Sequence, residues 1–390
     1  METETRMLRI IVIGGGITGA AAAAELAREG HAVTLIEKHH IAAMASGWTL
    51  AGVRQSGRHP AELLLARAAV AIWARLAGTL GADVEYRQTG NLRLARNPAE
   101  VEVIRVLVRD QQALGLDLQF LPDNAAVRAV APAMSRAVLA ASFCPTDGHA
   151  NPVKTTQAFA RFARTHGAAI REGVAALAIQ AEGDRVTGVD SSAGFIEADR
   201  VIVAAGVNTP ALLAPLGIDL PLSVRVVHVV QSEPLPISLL PAFGVANADC
   251  AGRQQVDGRL RFTGNGRDWP GDPAAWSEHS LAPTAADVES IVARVGHVLP
   301  IAAQAPIART WGGLIDMTPD ALPVLDAPAH LSGLVVAAGF SGHGFCLGPV
   351  SGLLCADLAL GRIPRHDLSA FRLARFSGPE STTAELTLHG

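Results

Sequence analysis

Gly14, Gly16 and Gly19 stand in the spacing G-x-G-x-x-G, between the aliphatic run Leu8–Ile13 and an Ala-rich helical stretch, Ala20–Arg28. Each glycine has its own mechanical use. Gly14 permits a tight turn, Gly16 lets backbone approach a pyrophosphate, and Gly19 lets helix and strand pack closely. Ile17 and Thr18 complete the loop, and the helix behind it offers free N–H groups and a positive dipole end to phosphate oxygens. A second apolar run, Ala32–Ile36, ends on Glu37 and Lys38, roughly 20 residues on, where a carboxylate accepts hydrogen bonds from ribose hydroxyls. This is the chemistry of holding a dinucleotide. Two more glycine turns repeat it: Val201–Ala205 runs into Gly206, and Leu334–Ala338 runs into the loop Gly339–Gly348. A nicotinamide dinucleotide needs one such loop. Three imply a longer ligand with a bulky ring system, approached by backbone at several points.

The elements that must position these loops follow from periodicity and punctuation. Pro60 suits the first position of a long helix, Ala61–Leu80, which Gly81 ends. Val84–Leu94 reads as strands around the Thr89-Gly90-Asn91 turn, and Pro98–Leu114 as a helix with one apolar face. The loop Pro145–Pro152 leads into a helix over Val153–His166. Beyond it the period changes to that of strands. Ala169–Ile179, Arg185–Ser191 and Gly194–Glu197 read as a meander, and the stretch from Pro221 to Phe262 as β-rich. A helix over Ala285–Val298 follows, and a last one is expected over Pro349–Leu360, its positive end turned towards whatever the third glycine loop holds. Nucleotide-binding signals at both ends and near Gly206 imply a binding domain assembled from separate pieces.

Composition excludes several classes. The 390 residues are 49% hydrophobic with a formal net charge of −4, and no basic stripe appears, so nucleic acid is not an expected partner. Only Lys38 and Lys154 among the 32 basic residues are lysines, a compositional bias. Cys144, Cys250, Cys346 and Cys355 are scattered without a C-x-x-C pair, so no disulfide framework, zinc site or iron–sulfur site is expected. His39-His40 has no third ligand nearby in sequence, and no bound metal is expected. The polar start, Met1–Arg6, carries no apolar segment of its own, and no uninterrupted run of 18 apolar residues occurs. The expectation is a cytoplasmic protein without a transmembrane segment.

Four separated segments together resemble the FAD-dependent D-amino-acid oxidase superfamily. They are Gly14–Gly19 with Glu37, the loop Ala45-Ser46-Gly47 to Gly52-Val53-Arg54, Val201–Gly206, and Trp311–Asp320 with Gly339–Gly344. The resemblance covers nearly the whole chain. It looks closest to β subunits of multi-subunit enzymes acting on sarcosine, opines, D-hydroxyproline, L-proline and, in the cyanide-forming case, glycine. It implies an α/β fold: a Rossmann-like FAD-binding domain of the glutathione-reductase type over 7–85, 145–215 and 305–375, with a β-rich α+β substrate domain over 86–144 and 216–304. It implies FAD-dependent oxidation of the C–N bond of an amino acid or secondary amine to an imine. The expected partners are a small amino-acid or amine substrate, a larger nucleotide-binding subunit and a small iron–sulfur subunit. A flavin-binding structural subunit and a simple oxygen-using oxidase remain alternatives. A flavin monooxygenase would need a nicotinamide loop that the sequence does not offer.

The same resemblance assigns residues. Gly339, Phe340, Ser341, Gly342, His343, Gly344 and Phe345 would line the flavin ring, Ser46 would touch the pyrophosphate side, and Val174 would offer backbone to adenine, with Ala205 and Gly206 nearby. A substrate carboxylate calls for arginine, whose planar fork makes two parallel hydrogen bonds. D-Amino-acid and glycine oxidases carry that arginine where this chain has Ile315. Sarcosine oxidases carry it where this chain has Arg54, so Arg54 is the expected grip, with Arg58 in reserve and His343 as a partner for flavin or substrate. Gly313 stands where monomeric sarcosine oxidase has the cysteine that bonds its flavin, so the FAD is expected to be noncovalent. Arg261 falls near the position of the lysine that promotes oxygen reduction in those oxidases, which implies an acceptor other than oxygen. Asp320 is expected to bond loop backbone, and Trp48 to shape the pocket entrance.

Overall fold

Alternate residues of the first strand, Arg9–Ile13, face opposite ways, as the two-residue period of a strand requires. Ile10 and Val12 pack into one apolar cluster, Ile11 and Ile13 into another. The strand is therefore buried on both faces, at the centre of a six-stranded sheet. The computed structural model describes residues 6–377; the polar start (1–5) and the end of the tail (378–390) lie outside the described residues. The sheet runs Val324–Asp326, Leu334–Ala338, Arg200–Val203, Arg9–Ile13, Ala32–Glu37, Ala169–Glu172. All neighbours are parallel except the first pair. Helices Ile17–Arg28, Pro152–Thr165 and Gly344–Ala359 cover one face, and a three-stranded meander covers the other.

Ala169–Glu172 differs from expectation. It joins the parallel sheet beside Ala32–Glu37, and only Ala176–Glu182, Arg185–Ser191 and Gly194–Glu197 form the meander. The turn at Gly173 breaks the run, at φ 74°. Of Val84–Leu94, only Asn91–Ala95 becomes a strand.

The last helix also begins earlier than its proline suggests. It spans Gly344–Ala359 with Pro349 inside it. The glycines there serve packing more than turning. A methyl group on Gly348 would lie 2.4 Å from Ile17 Cγ2, and one on Gly352 would lie 2.4 Å from Ala21 Cβ. One helical turn apart, they let this helix press against the dinucleotide-loop helix.

The long helix Pro60–Leu80 forms as expected, with the His59 ring accepting the Ala61 N–H and Gly81 closing it in the left-handed conformation. By length and composition it is apolar enough to cross a membrane, although charged residues interrupt its apolar run. Its inner face is spent in the core: Leu65, Ala66, Ala69, Trp73 and Leu76 are buried, and Trp73 Nε1 donates to the Cys346 carbonyl at 2.9 Å.

A second, nine-stranded mixed sheet contains Asn91–Ala95, Ala140–Cys144, Ser223–Pro234, Ala242–Val245, Cys250–Gln254 and Arg259–Gly264, with helix Ala285–Val298 packed on it. The strand Ile307–Met317 pairs antiparallel with Ser223–Pro234 and then runs to the glycine loop of the first sheet, where Asp316 receives the Gly339 N–H. That hydrogen bond ties the end of this strand to the first sheet's loop, and the cavity lies between the two sheets.

Candidate functional site

One cavity of about 600 Å³ runs from the Gly14–Thr18 loop to the strands of the second sheet. Its nucleotide end is built by close backbone approach. Gly14 has φ 112°, and a Cβ there would lie 2.2 Å from the Ala204 carbonyl oxygen; a Cβ on Gly19 would lie 2.1 Å from that of Gly14. These two positions tolerate no side chain. Gly16 is different: a Cβ there meets only Ser46 Oγ, at 3.1 Å, and its open side faces the cavity. Ser46 Oγ accepts the Ile17 N–H at 2.9 Å. Glu37 Oε2 accepts the Gly15 N–H at 2.7 Å and Oε1 that of His39 at 2.8 Å, so the carboxylate also braces the loop. Lys38 Nζ reaches Asn208 Oδ1 at 3.4 Å.

Gly14, Gly16, Ile17, Thr18, Glu37, Lys38, Ser46, Val174, Ala205, Gly206, Gly313, Phe340, Gly342, Gly344 and Phe345 all line this cavity, as do Arg54 and Arg58. The Val174 N–H is bonded to the Glu37 carbonyl. Gly19, Gly339, Ser341 and His343 stand behind the wall. Gly339 approaches Thr318, whose Cγ2 would be 2.3 Å from an added Cβ; the Ser341 hydroxyl accepts the Thr318 N–H at 3.2 Å. The His343 ring lies against the long helix, Nδ1 2.9 Å from Glu62 Oε2. Among the described residues no group of three or more His, Cys, Asp or Glu that could hold a metal occurs.

The opposite end is cationic. Arg54, Arg58 and Arg93 line it together. A methyl on Gly57 would lie 3.0 Å from Arg54 Nη1 and 3.3 Å from Arg93 Cζ, so their head groups are neighbours. Arg54 Nη1 donates to the Ser56 carbonyl at 2.8 Å. The residue is part-exposed, but the opening is the cavity itself: protein surrounds it. Burial, then Arg58 and Arg93, push its pKa far down; burial and Arg58 bring Arg93 to about 10. Arginine stays protonated regardless, and the buried carboxyls of Asp147 and Glu62 offset only part of what burial and the neighbouring cations cost Arg54. Arg58 Nη1 is buried without a hydrogen-bond partner, 3.7 Å from Glu62 Oε2.

Glu62 was invisible in the sequence as a site residue. Burial pushes its pKa up, but His343, Arg58 and Arg54 together outweigh that and hold it below the usual carboxylate range. Burial, then the Arg58 cation, brings His343 down to about 4, so the ring is neutral near pH 7. With Glu62 accepting, Nδ1 carries the hydrogen and Nε2, buried and unpartnered, is left as an acceptor.

Arg253 also faces the cavity, yet its fork is spent on the Leu50 and Ala150 carbonyls and His149. Arg261 does not line it. Its Nη2 donates to the Gly47 carbonyl at 3.3 Å and its head stacks 4.6 Å from the Trp311 ring, while Thr263, two residues on, takes the cavity-facing place. Trp48 lines the cavity beside Gly313 and meets Trp276 edge to face at 5.3 Å. Asp320 accepts the Leu322 N–H at 3.1 Å and pairs with Arg375 at 2.7 Å, a structural use.

The cavity fits a flavin dinucleotide: a backbone cradle open at Gly16, glycine walls at Gly206 and Gly313, and the first turn of Gly344–Ala359 facing inward. These features define a flavoenzyme fold, and residues 9–358 match the FAD-dependent oxidoreductase (DAO) family; the chain belongs to it. Among curated relatives it is 30% identical over 383 residues to 4-methylaminobutanoate oxidase (formaldehyde-forming) of Paenarthrobacter nicotinovorans, matching 96% of this chain but 46% of that protein, so it spans about half of that relative's length. It is 26% identical over 385 residues to glycine oxidase of Geobacillus kaustophilus (strain HTA426), covering 96% and 98%. It is 26% identical over 386 residues to sarcosine oxidase subunit beta of Rhizobium meliloti (strain 1021), covering 94% and 88%. Among solved structures, L-proline dehydrogenase from P. horikoshii superposes with a TM-score of 0.85 at 26% identity, covering 95% and 98%.

Proposed function

We propose that this chain uses noncovalently bound FAD to oxidise the C–N bond of an amino acid or secondary-amine acid to an imine, with Arg54 gripping the substrate carboxylate. The observation that carries this reading is the arginine cluster, Arg54 beside Arg58 and Arg93, at the end of the cavity away from the dinucleotide loop. An anion is the ligand that offsets its charge, and a planar fork favours a carboxylate. When bound, the FAD supplies a hydride acceptor.

The chain's own residues supply grip, charge and dryness. Arg54 has N–H groups left over after Ser56 and is aimed into the cavity. The positive cluster disfavours an ammonium nearby, so it lowers the pKa of a bound amine and raises the share with a free lone pair. Leu50, Leu92, Phe243 and Leu314 wall the space against water. Gly313 offers no thiol for a covalent link. Ile315 lines the cavity and carries no charge.

The chain has no iron–sulfur motif of its own, and one relative is a subunit by name. The reading therefore includes a partner subunit that accepts the electrons. Anaerobic mixing of the purified flavoprotein with amines bearing a carboxylate should bleach the yellow absorbance, with slow turnover in air that a dye or a co-expressed partner accelerates. Bleaching by none of them would assign this chain a purely structural flavin. Fast peroxide formation by the chain alone would make it a simple oxidase.

A further inference from the structure

Asp316 lies near the end of the strand Ile307–Met317, where that strand meets the glycine loop. Its Oδ2 accepts the Gly339 N–H at 2.6 Å, and its backbone carbonyl accepts the Ser341 N–H at 2.9 Å. The loop needs such a clamp. It turns left-handed at Gly339 (φ 68°), Ser341 (51°) and Gly342 (85°), and Ser341 has a Cβ, which resists that conformation.

Asp316 is also part of the cavity wall. Among the described residues only two acids line it, Glu37 and Asp316. Glu37 is engaged with Gly15 and His39 at the nucleotide end. Asp316 has no counter-charge from any neighbouring element. On the paired strand Val224 stands opposite it, and the next residue, Arg225, is taken by Asp268 at 3.1 Å. The turn at Gly206–Asn208 brings no charged side chain, and Lys38 is bonded to Asn208 there. The loop brings Ser341 and His343, whose ring is held by Glu62. Burial pushes the Asp316 pKa up to about 6 against the pull of backbone N–H groups, and no charged side chain contributes.

We propose that Asp316 is a positioning residue that clamps the glycine loop against the bound cofactor and takes up one proton when that cofactor is reduced. This rests on the FAD reading above. Oxidising the amine releases two electrons and two protons: one proton moves with the electron pair as hydride, and the other leaves from nitrogen. Hydride transfer adds one negative charge to a cavity whose inner wall already carries a carboxylate without a cation. Transfer of one proton, from the amine nitrogen or from solvent, to Asp316 Oδ1 or Oδ2 restores the balance.

The test uses the FAD-loaded protein reduced at an electrode, so no substrate is required. From about pH 6 upward the midpoint potential of the wild type should fall more steeply than that of Asp316→Asn. The difference expected is up to a further tenfold in the reduction equilibrium per pH unit, 29.6 mV for a two-electron couple. Identical slopes would overturn the proposal. A second measurement needs no variant: reduced-minus-oxidised infrared spectra with ¹³C-labelled aspartate should gain a protonated-carboxyl band from an aspartate. Absence of that band in the wild type would overturn it equally. Failure of the chain to hold FAD at all would instead strike the functional reading on which it rests.

Discussion

Replacing Arg54 by methionine should weaken an anionic ligand while leaving the unliganded fold no less stable. The two effects have different sources. The Arg54 side chain makes one protein hydrogen bond, to Ser56, and no ion pair among the described residues, and Asp147 and Glu62 attract it less than Arg58 and Arg93 repel it. Its Nη1 and the Arg93 Cζ lie 3.0 and 3.3 Å from one point beside Gly57, which puts the two charges at most about 6 Å apart. Like charges at that distance repel by roughly 2–3 kcal/mol at an effective dielectric near 20. Removing one relieves this and forfeits a hydrogen bond worth about 1 kcal/mol, so the apoprotein should gain or hold stability in urea. A carboxylate ligand, by contrast, loses charge-assisted bonds worth about 1.5–3 kcal/mol, a factor of roughly 10–150 in Kd. The assay is a titration of holoprotein with a carboxylate that cannot be oxidised, read from the flavin spectrum. Arg54→Lys should fall between, keeping the charge and losing the fork. A Kd that moves less than about threefold, or an apoprotein destabilised by more than about 1 kcal/mol, would make Arg54 a structural cation and pass the role to Arg58.

Other outcomes follow from the same geometry. Gly16→Ala should fold normally and fail to retain FAD, since its Cβ meets only Ser46 Oγ, whereas Gly19→Ala should damage the fold, with a Cβ 2.1 Å from the Gly14 carbonyl oxygen; thermal melts and flavin content of the two variants separate these. Acid precipitation should release all the yellow colour as FAD, and colour left on the denatured chain would reverse the noncovalent expectation. His343, buried at a pKa of about 4 against the ordinary 6.5, is bound by a proton first in the unfolded chain. Its contribution to stability is therefore whole above pH 6.5 and is lost as pH falls from 6.5 to 4, of order 3 kcal/mol in all. His343→Gln should flatten that limb of the stability–pH curve by this amount, and an unchanged limb would show that the ring charges freely in the fold.

The dinucleotide loop was legible because glycine spacing reports backbone geometry directly: Gly14 and Gly19 are small for steric reasons that a short segment already contains. The place of Arg54 in the cavity wall was reachable through resemblance. Glu62 was not, because an acid in the first turn of a helix is satisfied by the helix dipole alone, and its partner His343 lies 281 residues away. The same distance misplaced His343, which between two glycines reads as a ring facing the ligand. Asp316 carried no signal, since the N–H groups that give it meaning come from a loop 23 residues on. Pro349 misled for a different reason. Gly348 just ahead of it resembled the end of a loop, but it lies inside the helix and makes room for Ile17, which no local pattern reveals.

The order of strands in the parallel sheet also sets a clock. Arg9–Ile13 meets Ala32–Glu37 on one side soon after both are made, but its other neighbour, Arg200–Val203, comes much later and in turn pairs with Leu334–Ala338. At about 5–20 residues per second, the ribosome reaches residue 338 roughly 15–65 s after leaving residue 13. Through that interval the nascent chain carries the sheet without the strand that completes its far side. The nucleotide cradle, whose first glycine loop is made early, is among the last parts of the molecule to close, and a chain stalled before residue 334 leaves an open edge for other chains to join.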